Sequence, residues 1–552
     1  MPALPARLVS SSATKRLHDP KTACAETGGA YDFVVIMKLK RHSLVPQGSL
    51  SRMLQAAEQA WKRRDFQENI ELLQRASRLD PANPSILLQL GRVHGLCFDY
   101  AAAEQCFERA IRVAPRKTEA LTAAGMGSRD FRNPELAERY FRRAAEQKDA
   151  TSETLVHLAE LYERVRRVPD AAGLIERALQ LDPASATARL ARARLERQAG
   201  RLEEAEKLLR TIPTQADRDT RARSYYELGA ILDRQGRYDE AMSAFLEAKA
   251  LLRPDAGPHL AELLVVRNRL KVMRNHITAN MFRAWFEAGP ALAPARRLAL
   301  LCGHPRSGTT LLEQVLDSHP DMVSAEETEV FHDYAYIPLM QGLPEGAPML
   351  PVLEAADINR LLHSRENYFR HMELLLGRPL NGRLLIDKNP SLTFLIPALV
   401  RVFPELKLLV ALRDPRDVVL SCFMQSFIPI GQITVAYLSL EGTVDEYAAL
   451  MGIWQTVAPM LAGHYLQIRY EDMVEDLESV SRKTLDFLGV PWDVGVLKFD
   501  EHARHKQVRS PTYADVAKPV FKTAVGRWRN YQKHLEPFLE KLEPFVKAFG
   551  YE

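Results

Sequence analysis

The sequence predicts two fold classes in one chain: an all-α solenoid of helical pairs, followed by an α/β domain built on a parallel sheet. Three observations carry this reading. In the first half, residue types recur every 34 positions. From about residue 297, short apolar runs alternate with helical stretches. The first of those runs ends in a glycine-containing loop that opens a helix.

Composition sets the bounds. A chain of 552 residues is long enough to bury more than one core. With 46% apolar and 26% charged residues it has the makeup of a globular protein. Seventy-four basic against seventy acidic side chains leave +4, too balanced for a dedicated nucleic-acid binder. The five cysteines are scattered, with no CxxC pair and no Cys/His ligand spacing. That argues against a disulfide framework or structural zinc and points to a reducing compartment, the cytoplasm. No uncharged apolar run is long enough to span a bilayer, so no membrane span is expected. Residues 1–48 mix Pro, Ser, Gly and basic residues, and read as a mobile tail with Met37 an alternative start. Arg7, Lys15 and Arg16 interrupt any apolar stretch that would make this tail a secretory signal.

The repeat comes first. Ala76, Ala110, Ala144 and Ala178 follow one another at intervals of 34, as do Pro81 and Pro115, with Pro183 two periods later. Gly91, Ala159 and Gly229, then Ala103, Ala171 and Ala241, are small residues placed where two helices of a unit cross closely. Phe107, Phe141 and Phe245 are large and fill the gap between units, and each proline ends a second helix. This pattern resembles the tetratricopeptide repeat, with about six units over residues 49–256; the units at 118–151 and 186–218 read as degenerate. Such stacks form a concave groove that implies a bound peptide or protein partner; packing on the second domain or self-association, allowing a homodimer, stays open.

Residues 257–296 read as a helical connector and 297–552 as the α/β domain. Its strands are expected at Leu298–Leu301, Leu384–Ile386, Leu406–Leu412 and Leu466–Ile468, with helices at Thr310–Asp317 and Asp417–Phe427. Polar residues follow these runs, where ligands of parallel sheets sit. The loop Gly303-His304-Pro305-Arg306-Ser307-Gly308-Thr309-Thr310 has the outline G-x-x-x-x-G-T-T. A Walker A loop carries lysine where Thr309 stands. Backbone N–H groups and a helix N-terminus still favour an anion here. The missing lysine serves a triphosphate poorly, and the only acidic residues placed after an apolar strand for Mg²⁺ are Asp387 and Asp414, each beside a basic residue. The loop therefore suits a short, metal-free 5′ group.

P-R-S-G-T-T-L, Pro305 to Leu311, resembles the 5′-phosphosulfate loop of sulfotransferases. Leu409–Ser421, with Arg413 and Ser421 eight apart, is similar to the 3′-phosphate motif of that family. Within the family, Leu316-Asp317-Ser318-His319-Pro320 followed by Glu326-Glu327-Thr328, and Lys388 in D-K-N-P, resemble the protein-tyrosine sulfotransferases. Repeats joined to such a domain resemble a bacterial group. The resemblance implies a P-loop-like α/β fold and 3′-phosphoadenylyl sulfate as co-substrate, bound by Arg306, Ser307, Gly308, Thr309, Thr310, Arg413, Ser421, Tyr470 and Lys518. It also implies metal-free in-line transfer to an acceptor hydroxyl, of protein tyrosine within that group. Ser510 and Lys518 fit less well, their spacing being about two residues longer than the pattern.

In the expected chemistry, Arg306 and Lys388 meet the charge that develops on the sulfuryl and leaving oxygens, Ser510 adds a hydrogen bond, and Glu327 takes the acceptor proton. An ordinary carboxyl and a tyrosine hydroxyl differ by about 6 units, roughly 8 kcal/mol, so the proton moves only as the new S–O bond forms. Plainer readings stay open: Arg413 paired with Asp414 or Asp417, Glu326 as the base, Lys388 on the surface, and His304 and His332 structural. Two rivals from other classes are a P-loop kinase or ATPase and a repeat scaffold with an inactive transferase domain.

Overall fold

The computed structural model describes residues 47–343, 347–427, 431, 433–505 and 523–551. Residues 1–46, with Cys24, and the segment 506–522, with Ser510 and Lys518, lie outside the described residues.

The first half is a row of antiparallel helical pairs. They run Gln47–Lys62 with Phe66–Leu79, Pro84–Leu96 with Tyr100–Val113, and Lys117–Asp130 with Pro134–Ala145. Then follow Ser152–Arg164 with Val168–Leu181, Ala186–Gln198 with Leu202–Arg210, and Arg218–Arg234 with Tyr238–Leu252. Helix starts are marked by side-chain caps at Asp65, Asn83, Asp99, Asn133, Thr151, Ser185 and Asp217. The crossing logic of the sequence is visible as contact. A Cβ on Gly91 would meet the Phe107 ring at 2.6 Å, and one on Gly229 would meet Phe245 at the same distance. Phe107 also lies 3.1 Å from the place of a Cβ on Gly127, so one ring fills both the crossing within its pair and the gap to the next. The unit read as degenerate at 118–151 is regular, because Gly125 takes the Gly91 role against Phe141. The second degenerate unit differs in length: its second helix, Leu202–Arg210, has nine residues.

After the helices Gly257–His276 and Ala279–Glu287 comes a five-stranded, wholly parallel sheet. Its strands are β1 (Leu298–Gly303), β2 (Met322–Glu326), β3 (Leu384–Lys388), β4 (Lys407–Leu412) and β5 (Tyr465–Arg469), in the spatial order β2-β3-β1-β4-β5. β1 is central and buried throughout, which is why it reads as an unbroken apolar run. Apolar cores cover the sheet on both faces, one of them continuous with the last helical pair through Tyr226, Phe245 and Leu252. The register sets Glu326 beside Lys388, Leu301 beside Lys388, Gly303 beside Ala411 and Leu412 beside Arg469. The carboxyl ends of all five strands therefore converge on one edge.

β2 has no counterpart among the strands expected from the sequence. Its residues Met-Val-Ser-Ala-Glu are short and half polar, and only the neighbouring β3 identifies them as a strand. The helices at Thr309–Asp317 and Pro415–Phe423 stand where helical stretches were expected, the second ending earlier than Phe427. No helix among the described residues is long and apolar enough to cross a membrane. The described cysteines Cys97, Cys106, Cys302 and Cys422 form no disulfide among the described residues.

Candidate active site

The loop after β1 turns sharply into the helix Thr309–Asp317. Gly303, Arg306 and Gly308 all take positive φ, at 123°, 72° and 90°. At Gly303 nothing larger fits, since a Cβ would come within 2.3 Å of the Ala411 carbonyl oxygen. The loop is tied down from beneath: the Gly303 N–H donates to the Thr393 hydroxyl at 3.0 Å, and that hydroxyl donates back to the Gly303 carbonyl at 2.6 Å. Ser307, Thr309 and Thr310 are buried at the turn. His304 is buried against Tyr447, its Nδ1 bonds the Pro305 carbonyl, and burial pushes its pKa down to about 4.

On the β4 side, Arg413 and Ser421 converge on this loop. Arg306 Nε donates to Ser421 Oγ at 3.1 Å, and Arg413 Nη1 donates to the Arg306 carbonyl at 3.2 Å. Tyr470 lies under both, with the Arg413 guanidinium 5.0 Å over its ring and the ring edge 2.6 Å from where a Gly308 Cβ would be. Arg413 is 3.8 Å from Asp417, so a plainer reading of it holds in part. Asp417 is itself occupied by the N–H groups of Gly526 and Trp528. The Arg413 Nε is buried and lacks a hydrogen-bond partner among the described residues. A buried donor of this kind fits a phosphate oxygen.

At the ends of β2 and β3 lies a second cluster. Lys388 Nζ is 2.7 Å from Glu327 Oε1, 3.3 Å from Glu326 Oε1 and 3.7 Å from Glu313 Oε2. The lysine is fully buried rather than on the surface. Burial alone is the largest effect and disfavours its charge, yet Glu327, Glu326 and Glu313 together outweigh it and raise the pKa well above that of free lysine. Glu327 is the partly exposed carboxylate of the three, with 27% of its side chain accessible against 5% for Glu326 and none for Glu313. Its backbone is left-handed, φ 47°, with the N–H donating to the Lys388 carbonyl at 2.6 Å. Asn389 spans the same two loops by donating to the Thr328 carbonyl at 2.9 Å.

The structure thus brings Arg306, Arg413, Ser421 and Tyr470 together around the loop, and Glu327 with Lys388 at the neighbouring strand ends. Arg306 is bonded to Ser421, on the clamp side. Sequence reasoning missed Glu313, which also accepts from Ser324 Oγ at 2.6 Å. Nothing local marks it, since the same helix also carries the polar residues Thr309, Thr310, Gln314 and Asp317. Among the described residues no group of His, Cys, Asp and Glu could hold a metal ion.

Comparison with known proteins bears on this geometry. Residues 299–494 match a family model described as the sulfotransferase family, and residues 84–117, 164–224 and 222–251 match tetratricopeptide repeat models. This chain joins tetratricopeptide repeats to a sulfotransferase-family domain. The sulfotransferase domain includes every strand of the sheet and both clusters. Among curated relatives, an uncharacterized protein of Aquifex aeolicus is 25% identical over 60% of this chain and 42% of its own. Protein-tyrosine sulfotransferase 1 of Danio rerio is 29% identical over 46% of this chain and 72% of its own. The chain thus spans less than half of the Aquifex relative's length. Among solved structures, the sulfotransferase domain from the Synechococcus PCC 7002 olefin synthase matches with a TM-score of 0.36 at 22% identity, covering 47% of this chain and 97% of that one.

Proposed function

We propose that this protein transfers a sulfuryl group from 3′-phosphoadenylyl sulfate to an acceptor hydroxyl, without a metal, and that the acceptor is a protein or peptide, with tyrosine the favoured side chain. The observation that carries the reading is the pairing of two unlike clusters on one sheet edge. One is a lysine-less anion loop clamped by Arg413 and Ser421, with a buried guanidinium N–H that has no hydrogen-bond partner among the described residues. The other is a lysine–carboxylate cluster in which one carboxylate, Glu327, is accessible.

In this mechanism the loop N–H groups, Thr309 and Thr310 hold the 5′ end, and Arg413 and Ser421 hold the 3′-phosphate. The acceptor oxygen bonds to sulfur as the bond from sulfur to the 5′-phosphate oxygen breaks. Glu327 receives the acceptor proton, and 3′,5′-ADP leaves. Lys388 offsets the charge on the leaving and sulfuryl oxygens, and shares its proton-rich end with Glu327. Arg306 swings between Ser421 and the sulfuryl group, and Ser510 and Lys518 complete the nucleotide side. The repeat domain, residues 49–256, binds the acceptor or its carrier protein, with 257–296 as connector and 297–552 as the transferase domain.

The test is incubation with ³⁵S-labelled donor and a host lysate, followed by identification of the labelled species. Transfer to protein that is lost in Arg306→Ala and Glu327→Ala is the expected result. Label on carbohydrate or lipid alone would reject the protein acceptor, and labelling intact in both variants would reject the site.

A further inference from the structure

The turns within the helical pairs share one backbone feature. Arg64, Phe98, Arg132 and Arg166, at intervals of 34, all have positive φ, between 62° and 65° except for Arg64 at 57°. The next two turns place Gly200 and Gly236 there, with φ of 80° and 75°. Glycine is the residue that conformation favours, and an L side chain there is disfavoured. The side chains of Arg64, Phe98 and Arg132 reach across to the sulfotransferase domain. Arg64 pairs with Asp333. Phe98 packs on Tyr334 and His371. Arg132 donates through Nη1 to the Glu326 carbonyl at 2.8 Å and through Nη2 to the Glu327 carbonyl.

The Arg132 contact falls on a left-handed turn of the transferase backbone beside the chemistry. Glu327 has φ 47°, its N–H is held by the Lys388 carbonyl, and its carboxylate meets Lys388 Nζ. A forked guanidinium on two successive carbonyls fixes the plane of the peptide between them and the position of the next. We propose that Arg132, at the tip of the third repeat, is a positioning residue of the sulfotransferase site, holding the Glu326–Glu327 turn so that the Glu327 carboxylate stays on Lys388. The repeat array is then a structural part of the active site as well as a binding surface. This rests on the reading of Glu327 as the base.

Arg132→Gly is the variant of choice, because glycine already occupies the same turn in the fifth and sixth pairs. In the full chain, kcat should fall roughly ten- to hundredfold, the size expected when a reacting group is misplaced by about an ångström. Affinity for 3′,5′-ADP should stay within about twofold, since the turn that Arg132 grips, Glu326–Glu327, lies at the end of β2 rather than in the loop or the clamp. Arg132→Lys should recover part of the loss, and added guanidinium ion should restore activity to Arg132→Gly but not to Glu327→Gln. Hydrogen exchange at residues 326–328 should quicken in Arg132→Gly. Unchanged exchange there overturns the proposal whatever the activity, and so does quickened exchange with full kcat. If the unaltered chain transfers no sulfate, it is the functional reading that fails, and the exchange arm still decides whether Arg132 holds the turn.

Discussion

Among the described residues two lysines are buried almost completely, and they behave in opposite ways. Lys388 stands at the end of β3 among Glu313, Glu326 and Glu327, and its proton is held more tightly than in water. Lys249 lies where the last repeat meets the sulfotransferase domain. It faces the rings of Tyr226 and Phe423 at 5.0 and 4.9 Å, with the Gln425 carbonyl at 3.3 Å. Burial there is opposed only weakly, and the pKa drops to about 7. Depth is the same in both places. What differs is whether carboxylates share the cavity: three of them at the site, none at the interface lysine's own contacts. Acidic neighbours keep the buried charge ionised at Lys388, whereas at Lys249 aromatic rings and a single carbonyl leave burial to dominate.

Altering these groups sharpens that contrast, and the largest effect belongs to the site. Lys388→Met should abolish measurable transfer and also destabilise the fold by about 3–5 kcal/mol, because the buried Glu313 and Glu326 lose the Lys388 ammonium they face. Activity assays and urea melts read the two losses separately. Glu327→Gln should lower kcat by roughly 10²–10⁴ with little change in stability, the usual range for a lost general base. A loss that tracked stability would make Glu327 a structural residue like its neighbour Glu313.

Lys249→Met should cost far less. Its folded pKa lies below the unfolded value near 10.5, so between about pH 7 and pH 10 the unfolded chain binds the extra proton and stability rises with pH. Lys249→Met should remove that rise, worth at most about 4 kcal/mol across the window, while leaving transfer intact. A stability profile identical in the two proteins would show that Lys249 keeps its charge by other means. Asp387 gives the smallest and opposite slope. Burial raises its pKa to about 7 even though Tyr368 donates to it at 2.8 Å. Between about pH 4 and pH 7 the folded chain holds a proton that the unfolded chain has lost, so stability falls as pH rises; Asp387→Asn should flatten that fall.

The same contrast explains what the sequence revealed. The repeat was legible because its contacts are local: Gly91 meets Phe107 sixteen residues on, and the spacing recurs. The loop and the Arg413–Ser421 pair were legible because each is a short motif read along one strand and helix. β2 was not, since it is defined by its hydrogen bonds to β3 and not by its own residues. Glu313 and Arg132 were missed for the same physical reason. Glu313 reaches Lys388 75 residues away, and Arg132 reaches Glu327 across 195. Nothing local distinguishes either from an ordinary charged residue on a helix or turn.

The most direct measurement is a calorimetric titration of the full chain with 3′,5′-ADP and with 5′-AMP, which lacks the 3′-phosphate, repeated on Arg413→Ala. The unaltered protein should bind 3′,5′-ADP at least tenfold more tightly, roughly the worth of one charge-assisted contact, and Arg413→Ala should erase the difference. Equal binding of the two nucleotides by the unaltered protein would contradict the assignment of this sheet edge to a 3′-phosphorylated sulfate donor.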